Sequence, residues 1–163
     1  MSADRLRELY LNELSDLHDA ENRAILLLSR LAEASQHGGL RRTLTQHATE
    51  ARLHLERIQL IFTHWGETRR PRTCAGLVGI VQEADDRLND PATDDARDAA
   101  IIGIAQRVAH YEIAAYGAAR IFARWLNRLD DARLLEETID EQRRADRRLI
   151  EVADARESTI SAA

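Results

Sequence analysis

The chain has 163 residues and a formal net charge of −5, from 28 acidic and 23 basic residues. This length predicts a single domain, residues 1–163, with a substantial core. The acidic balance argues against the broad basic surface with which proteins bind nucleic acid through phosphates. The sequence contains no run of about 18 apolar residues to span a bilayer and no apolar signal-peptide core. We therefore expect a cytoplasmic protein with no nucleic-acid or membrane partner.

Helices account best for the composition. Only 7 Gly and 2 Pro interrupt a sequence rich in Ala, Leu, Arg and Glu, which are good helix formers. Apolar residues recur at steps of three and four in four long segments, as on the buried face of a helix. These segments predict helices at about 3–34, 40–65, 95–126 and 131–156.

Residues that commonly begin or end helices mark the boundaries. Gly38 and Gly39 in "SQHGG" predict the end of the first helix, and Gly66 predicts the end of the second. Thr93 is a predicted N-cap of the helix that follows, and Asp130 is a predicted cap of the last helix.

A long connection of about 28 residues separates the second and third of these segments. It has its own amphipathic pattern, which predicts a short helix at about 75–89. Two helical hairpins joined by such a crossover are one way to build a four-helix bundle, and such bundles carry metal sites on facing helices. The predicted fold class is therefore all-α.

Two acids occupy positions where apolar residues are expected. Glu112 lies at helical spacing from Val108 and Tyr116, and Glu21 lies at helical spacing from Leu17. An unpaired carboxylate buried there costs several kcal/mol unless a cation, a hydrogen-bond network or a raised pKa compensates. Both acids therefore require partners.

The spacing of further acids supplies a pattern. Glu50 follows Glu21 by 29 residues, and Glu141 follows Glu112 by the same number. The midpoint of each pair falls beside a predicted turn, so in an antiparallel hairpin the two acids of a pair face each other. The sequence thus predicts four carboxylates, one on each helix, that converge at mid-height.

Four carboxylates in one dry layer repel each other, and two divalent cations would cancel their charge. Oxygen-rich sites suit iron or manganese, and an added imidazole favours transition metals. His54 is one helical turn after Glu50, while His47 is a competing choice. The position equivalent to His54 in the second hairpin is Ala145, and the neighbouring Asp146 is turned off the face of the site.

Each candidate residue also has a purely structural interpretation. A single inward Glu is more often a paired structural acid than a ligand, and it is the matched spacing of all four that favours metal. His18 and His110 lie near Glu21 and Glu112, where they are candidates for second-layer hydrogen bonds or for packing and surface roles. Tyr111 and Tyr116 are candidates for redox roles or for simple packing.

The sequence also resembles a known family. The segments "DAEN", "QHATEARLHLERI", "HYEIAAYG" and "ETIDEQRRAD", with the crossover "CAGLVGIVQEA", are similar to the YciE/YciF-type stress-response family of ferritin-like proteins. This resemblance covers nearly the whole chain and implies a ferritin-like bundle, a homodimer and a di-metal carboxylate centre. It implies as ligands Glu21, Glu50, His54, Glu112 and Glu141.

The chain departs from the general ferritin-like pattern, in which a His follows each second-helix Glu by three residues. Here His54 follows Glu50 by four residues, and the second hairpin has no such His.

The functional hypothesis is a ferritin-like protein with two iron or manganese ions that handles peroxide or dioxygen, or oxidises Fe(II), in stress protection. Such a protein would be a peroxidase-, catalase- or ferroxidase-like oxidoreductase. The alternative is a helical bundle with a structural or interaction role, whose metal is structural or absent.

Overall fold

A computed structural model describes residues 2–91 and 94–160. These residues form five helices and no strand, which confirms the all-helical fold class. The helices are α1 (Ala3–Ala34), α2 (Gly38–Trp65), α3 (Ala75–Leu88), α4 (Asp94–Trp125) and α5 (Leu129–Ile160).

The four long helices pack as two hairpins. α1 lies against α2, and α4 lies against α5; the hairpins meet through contacts of α1 with α4 and of α2 with α5. The short helix α3 lies in the connection between the hairpins and packs on α4 and α1. Within the described residues, no helix combines the length and the apolar character that crossing a membrane requires.

The core has two apolar clusters. One is built around residues such as Leu28, Leu44 and Leu77, and the other around Tyr10 and Ile58. Along each long helix the residues of the two clusters occupy different ends. The buried side chains of Glu21, His47, His54, Glu112 and Gln142 lie near the boundary between the two clusters, so a polar layer separates two apolar halves.

The turn between α1 and α2 is held by a side chain from α4. Asp98 is 1% exposed, and its carboxylate accepts hydrogen bonds from the Ser35 hydroxyl at 3.1 Å and from the backbone N–H groups of Gln36 and His37 at 3.0 Å. This one carboxylate satisfies donors that the end of α1 and the start of α2 leave unpaired.

The expectation that Gly38 and Gly39 end α1 is wrong. α1 ends at Ala34, and both glycines are the first residues of α2. The ring of His37 caps α2, since its Nδ1 accepts from the Leu40 N–H at 3.2 Å. A Cβ on Gly39 would lie 2.8 Å from Cε1 of that ring. Gly39 therefore leaves room for the cap rather than ending a helix.

The other predicted boundaries have mixed outcomes. Gly66 ends α2 as expected, in the left-handed region at φ 62°, and its N–H donates to the Thr63 carbonyl. Asp130 does not cap α5, because the helix begins one residue earlier at Leu129 and Asp130 lies in its first turn. Thr93 is outside the described residues.

The opposite end of the bundle is closed by Asp131 of α5, which is 1% exposed. Its carboxylate accepts hydrogen bonds from the indole N–H of Trp65 at 2.8 Å and from the Tyr10 hydroxyl at 3.5 Å, and it pairs with Arg128 at 3.3 Å. An aspartate from the second hairpin therefore binds the first hairpin at each end.

Candidate metal centre

Three charged or ionisable side chains from three helices meet in the polar layer. Glu21 of α1, His54 of α2 and Glu112 of α4 are each 0% exposed. Each lies at a position where the helical repeat turns toward the core. His54 Nδ1 lies 3.0 Å from an oxygen of Glu21, so an imidazole and a carboxylate form a buried pair.

Three neighbouring polar groups hold these acids in place. The Tyr116 hydroxyl donates to Glu21 Oε1 at 2.7 Å. The Gln142 side chain donates to Glu112 Oε2, and its own oxygen lies 2.8 Å from Nε2 of His47. Gln142 therefore links His47 to Glu112, and Tyr116 links α4 to Glu21.

The remaining two glutamates are paired with arginines. Both oxygens of Glu141 accept from Arg57, at 2.5 and 2.8 Å, and Glu141 Oε2 also lies 3.0 Å from His54 Nε2. Glu50 accepts from Arg148 at 2.6 Å. The side chains of Glu50 and Glu141 are each 18% exposed, so they lie at the edge of the layer rather than at its centre.

The surroundings shift the proton affinities of the site in opposite directions. Burial alone would lower the pKa of His54, but the charge of Glu21 and hydrogen bonds with Glu141 and Glu21 raise it to about 10. The hydrogen bonds from Arg57 and His54 lower the pKa of Glu141 to about 2. Burial and the charge of Glu21 raise the pKa of Glu112 well above its ordinary value. These surroundings thus favour the protonated form of Glu112.

Two buried carboxylate oxygens have no hydrogen-bond partner within the described structure: Glu21 Oε2 and Glu112 Oε1. Such atoms are costly in a dry interior unless something binds them. Their helices, α1 and α4, pack against each other. The oxygens and the nearby His54 are donors of the type that iron or manganese accepts.

The fit to metal is therefore incomplete. Glu21, Glu112 and His54 carry donor atoms of the right chemical type, but both ring nitrogens of His54 already contact carboxylates. Glu50 and Glu141 are bound to arginines. Within residues 2–91 and 94–160, no group of three or more His, Cys, Asp or Glu side chains is placed so that it could hold a metal ion.

The alternative residues lie in different places. His47 is buried against Gln142, one step removed from the acids, and burial lowers its pKa. Asp146 pairs with His110 at 3.1 Å on the α4–α5 surface, where His110 is 64% exposed. His18 contacts Asn22 on its own helix.

Sequence reasoning missed the two arginines that neutralise the edge glutamates. A signal for them is present: Arg57 follows Glu50 by seven residues and Arg148 follows Glu141 by seven, so each arginine shares a helix face with a glutamate. Helical spacing gives the face but not the partner, and in the structure each arginine binds the glutamate of the other helix.

Comparison with known proteins gives a family match. Residues 5–161 match the family model described as "Domain of unknown function (DUF892)". The chain is 30% identical to "Protein YciF" of Escherichia coli strain K12 over 154 residues, which are 94% of this chain and 93% of that protein. The match agrees with the resemblance read from the sequence segments.

Solved structures show the same arrangement of helices. The crystal structure of the E. coli stress protein YciF matches with a TM-score of 0.87 at 30% identity, covering 91% of this chain and 94% of that one. A protein from Rhodopseudomonas palustris, described as YcfI, a putative structural protein, matches with a TM-score of 0.85 at 31% identity, covering 88% and 92% of the two chains.

Proposed function

Because the chain belongs to the DUF892 family and is similar to the stress protein YciF, we propose that it is a stress-response protein whose buried carboxylate–histidine centre binds iron or manganese. The observation that carries this proposal is the pair of unpartnered oxygens, Glu21 Oε2 and Glu112 Oε1, buried beside His54. A divalent cation would offset the repulsion that the charge of Glu21 exerts on Glu112.

Glu21, Glu112 and His54 would hold this ion; a second ion would need Glu50 and Glu141, which in the metal-free protein are bound to Arg148 and Arg57. A bound iron or manganese ion would supply redox chemistry toward peroxide, dioxygen or Fe(II). The Tyr116 hydroxyl orients Glu21 and the Gln142 amide orients Glu112. The apolar clusters on either side keep bulk water from the layer.

The arrangement of the helices supports a ferritin-like bundle. Two hairpins with short turns, joined by a long connection that contains α3, are the layout in which facing helices contribute carboxylates to a shared metal site. The homodimer that the resemblance implies stays a prediction.

Replacing Glu112 with Ala tests the metal proposal. We expect the purified protein to retain manganese or iron, and Glu112→Ala to lose most of it while keeping its helical circular dichroism. The control is Glu33→Ala, an exposed glutamate on α1. Metal is measured by elemental analysis after loading with Mn(II) or, anaerobically, with Fe(II). Equal metal content in wild type and Glu112→Ala would contradict the proposal.

A structural role is the second candidate, and one observation favours it. Arg57, Arg148 and His54 already supply positive charge to three of the four glutamates without metal. The R. palustris relative is described as a putative structural protein. Under this alternative, protein loaded with Fe(II) would accelerate neither peroxide loss nor Fe(II) oxidation.

A further inference from the structure

We propose that a cavity between α1 and the segment 66–70 binds a small zwitterion of the size of a free amino acid, with an ammonium group, a carboxylate and a short apolar body. The cavity has a volume of about 350 Å³ and lies beside the start of α1 and the end of α2. This volume is at the small end of the range of about 300–1,000 Å³ that ligand pockets occupy. The cavity shares no residue with the buried polar layer, so the inference does not depend on the proposed function.

The wall that α1 contributes is negative. Asp4 and Glu8 both line the cavity, and their spacing of one helical turn places them on the same side of α1. Among the described residues, neither carboxylate has an ion-pair or hydrogen-bond partner. Arg7 lies on the same wall, but its charge is neutralised by Glu67 on the opposite side. A ligand in the cavity therefore meets two unpaired acids on this wall.

The opposite wall is positive. Arg70 lines the cavity from the segment that follows α2, and in the described part of the chain its guanidinium has no carboxylate partner. A guanidinium binds both oxygens of a carboxylate through two parallel hydrogen bonds. One wall thus suits an ammonium and the other suits a carboxylate, which is the charge pattern of a zwitterion and not of a simple cation or anion.

The base of the cavity is apolar apart from one hydroxyl. Leu11 and Phe62 line it and form part of the edge of the core around Tyr10 and Ile58. Ser15 is 2% exposed, and its hydroxyl donates to the Leu11 carbonyl at 2.9 Å. This bond uses the one proton of the hydroxyl, so toward the cavity the oxygen can only accept. An ammonium satisfies that oxygen, and the two apolar side chains suit a short hydrocarbon group.

A tryptophan beside the cavity provides a local measure of binding. The guanidinium of Arg7, which pairs with Glu67, lies 5.4 Å from the centre of the Trp65 ring. A ligand that fills the cavity displaces water around this pair, and the fluorescence of Trp65 should change. The other tryptophan of the chain, Trp125, is 65% exposed, so Trp125→Phe leaves Trp65 as the single indole.

The experiment titrates the Trp125→Phe protein with L-leucine at neutral pH. Two further probes have nearly the same shape but lack one charge each: 4-methylpentanoate lacks the ammonium, and 3-methylbutylamine lacks the carboxylate. Trp65 fluorescence gives the affinity of each probe, and broadening of the methyl proton signals of the probe in NMR spectra gives an independent measure.

Charge-removing variants of the two walls are made in the same background. Arg70→Gln removes the positive wall, and Asp4→Asn/Glu8→Gln removes the negative wall. The matched controls are Arg124→Gln on α4 and Glu33→Gln on α1, which are exposed residues that do not line the cavity. Thermal unfolding checks that each variant is folded.

We expect one L-leucine to bind per chain with a Kd of about 1 mM or lower, and each analogue to bind at least about 10-fold more weakly, because each loses charge-assisted hydrogen bonds. Arg70→Gln should weaken L-leucine about 10-fold and leave 3-methylbutylamine unchanged. The double variant of the acids should weaken L-leucine by a similar factor and leave 4-methylpentanoate no weaker. Both controls should bind L-leucine like the parent protein.

Two results would overturn the zwitterion site. One is the absence of saturable L-leucine binding by both measures. The other is equal affinity for L-leucine and either analogue, since the two walls would then not act together. Losses in the controls as large as those in the cavity variants would also contradict it. None of these results bears on metal binding, because the two sites have no residue in common.

Discussion

His54 keeps its proton because carboxylates face both nitrogens of its ring. Glu21 lies 3.0 Å from Nδ1 and Glu141 lies 3.0 Å from Nε2, and together they outweigh the burial that disfavours an imidazolium. Metal binding by His54 requires the neutral ring, so an entering cation must release this proton. The same contacts that stabilise the metal-free protein therefore oppose metal binding.

These shifts give the stability of the metal-free protein a definite pH dependence. The pKa of His54 rises from 6.5 to about 10 on folding, so its stabilisation is complete below pH 6.5 and is lost as the pH rises through about 10. Glu112 acts in the same direction: its raised pKa means that the unfolded chain releases a proton above about pH 4.5 that the folded chain retains. Stability should fall from pH 6.5 toward pH 9.

The variant Glu112→Gln isolates the contribution of one acid. It removes one of the two ionisable side chains whose raised pKa weakens the fold at high pH. The amide that replaces the carboxyl keeps an oxygen that accepts a hydrogen bond from Gln142. We expect the variant to gain stability relative to wild type as the pH rises from 5.5 to 9. Urea unfolding in the presence of a chelator measures this, with the exposed Glu33→Gln as the control. Parallel curves for Glu112→Gln and wild type would exclude the raised pKa.

At this scale the sequence predicted part of the site. Helical periodicity was enough to place Glu21, His54 and Glu112 inward, because each sits on the apolar stripe of its own helix. It was not enough for Glu50 and Glu141, which lie at the edge of the layer within reach of long arginine side chains. A one-helix pattern carries no information about a partner on the opposite helix.

At the scale of helices, both ends of the first hairpin depend on side chains that are distant in the sequence. Asp98 of α4 holds the turn between α1 and α2, and Asp131 of α5 holds the end of α2 and the start of α1. The lengths of the helices follow from periodicity, and α1 ends at Ala34 as predicted, but not for the predicted reason. Gly38 and Gly39 resemble a local stop signal, whereas the real stop is an extended Ser35 whose hydroxyl binds a carboxylate 63 residues away.

Replacing Asp98 with Ala should therefore destabilise the first hairpin. The change removes the acceptor of two backbone N–H groups and one hydroxyl, and hydrogen bonds to charged groups contribute about 1.5–3 kcal/mol each. We expect a total loss of roughly 2–4 kcal/mol, since part of the turn becomes hydrated once it opens. Urea unfolding of Asp98→Ala beside the exposed Asp86→Ala measures it. A loss as small as that of the Asp86 variant would show that the turn does not depend on Asp98.

At the scale of the whole molecule, a polar layer divides two apolar clusters that would otherwise form one continuous core. Within this layer, hydrogen bonds link His47 to Gln142 and Gln142 to Glu112. His47 Nδ1 and Glu112 Oε1 are buried and have no hydrogen-bond partner among the described residues. Replacing a whole network of buried polar side chains with apolar ones is often neutral or stabilising. Removing only one side chain leaves its former partners buried without hydrogen bonds, which costs their full desolvation free energy. If the polar layer serves metal binding and not stability, apolar side chains in its place should make the metal-free fold more stable.

The triple variant His47→Leu, Glu112→Met and Gln142→Met tests this at nearly constant side-chain volume. In the metal-free state we expect it to be as stable as wild type or more stable by up to about 4 kcal/mol, and to retain little Mn(II). The matched control Gln142→Met removes only the central amide, so His47 and Glu112 each lose a hydrogen bond, and we expect a loss of about 1–3 kcal/mol. Urea unfolding with a chelator gives the free energies, and elemental analysis gives the metal. A triple variant less stable than Gln142→Met would mean that the layer holds the two apolar halves together, and the structural role would then account for it better than metal binding.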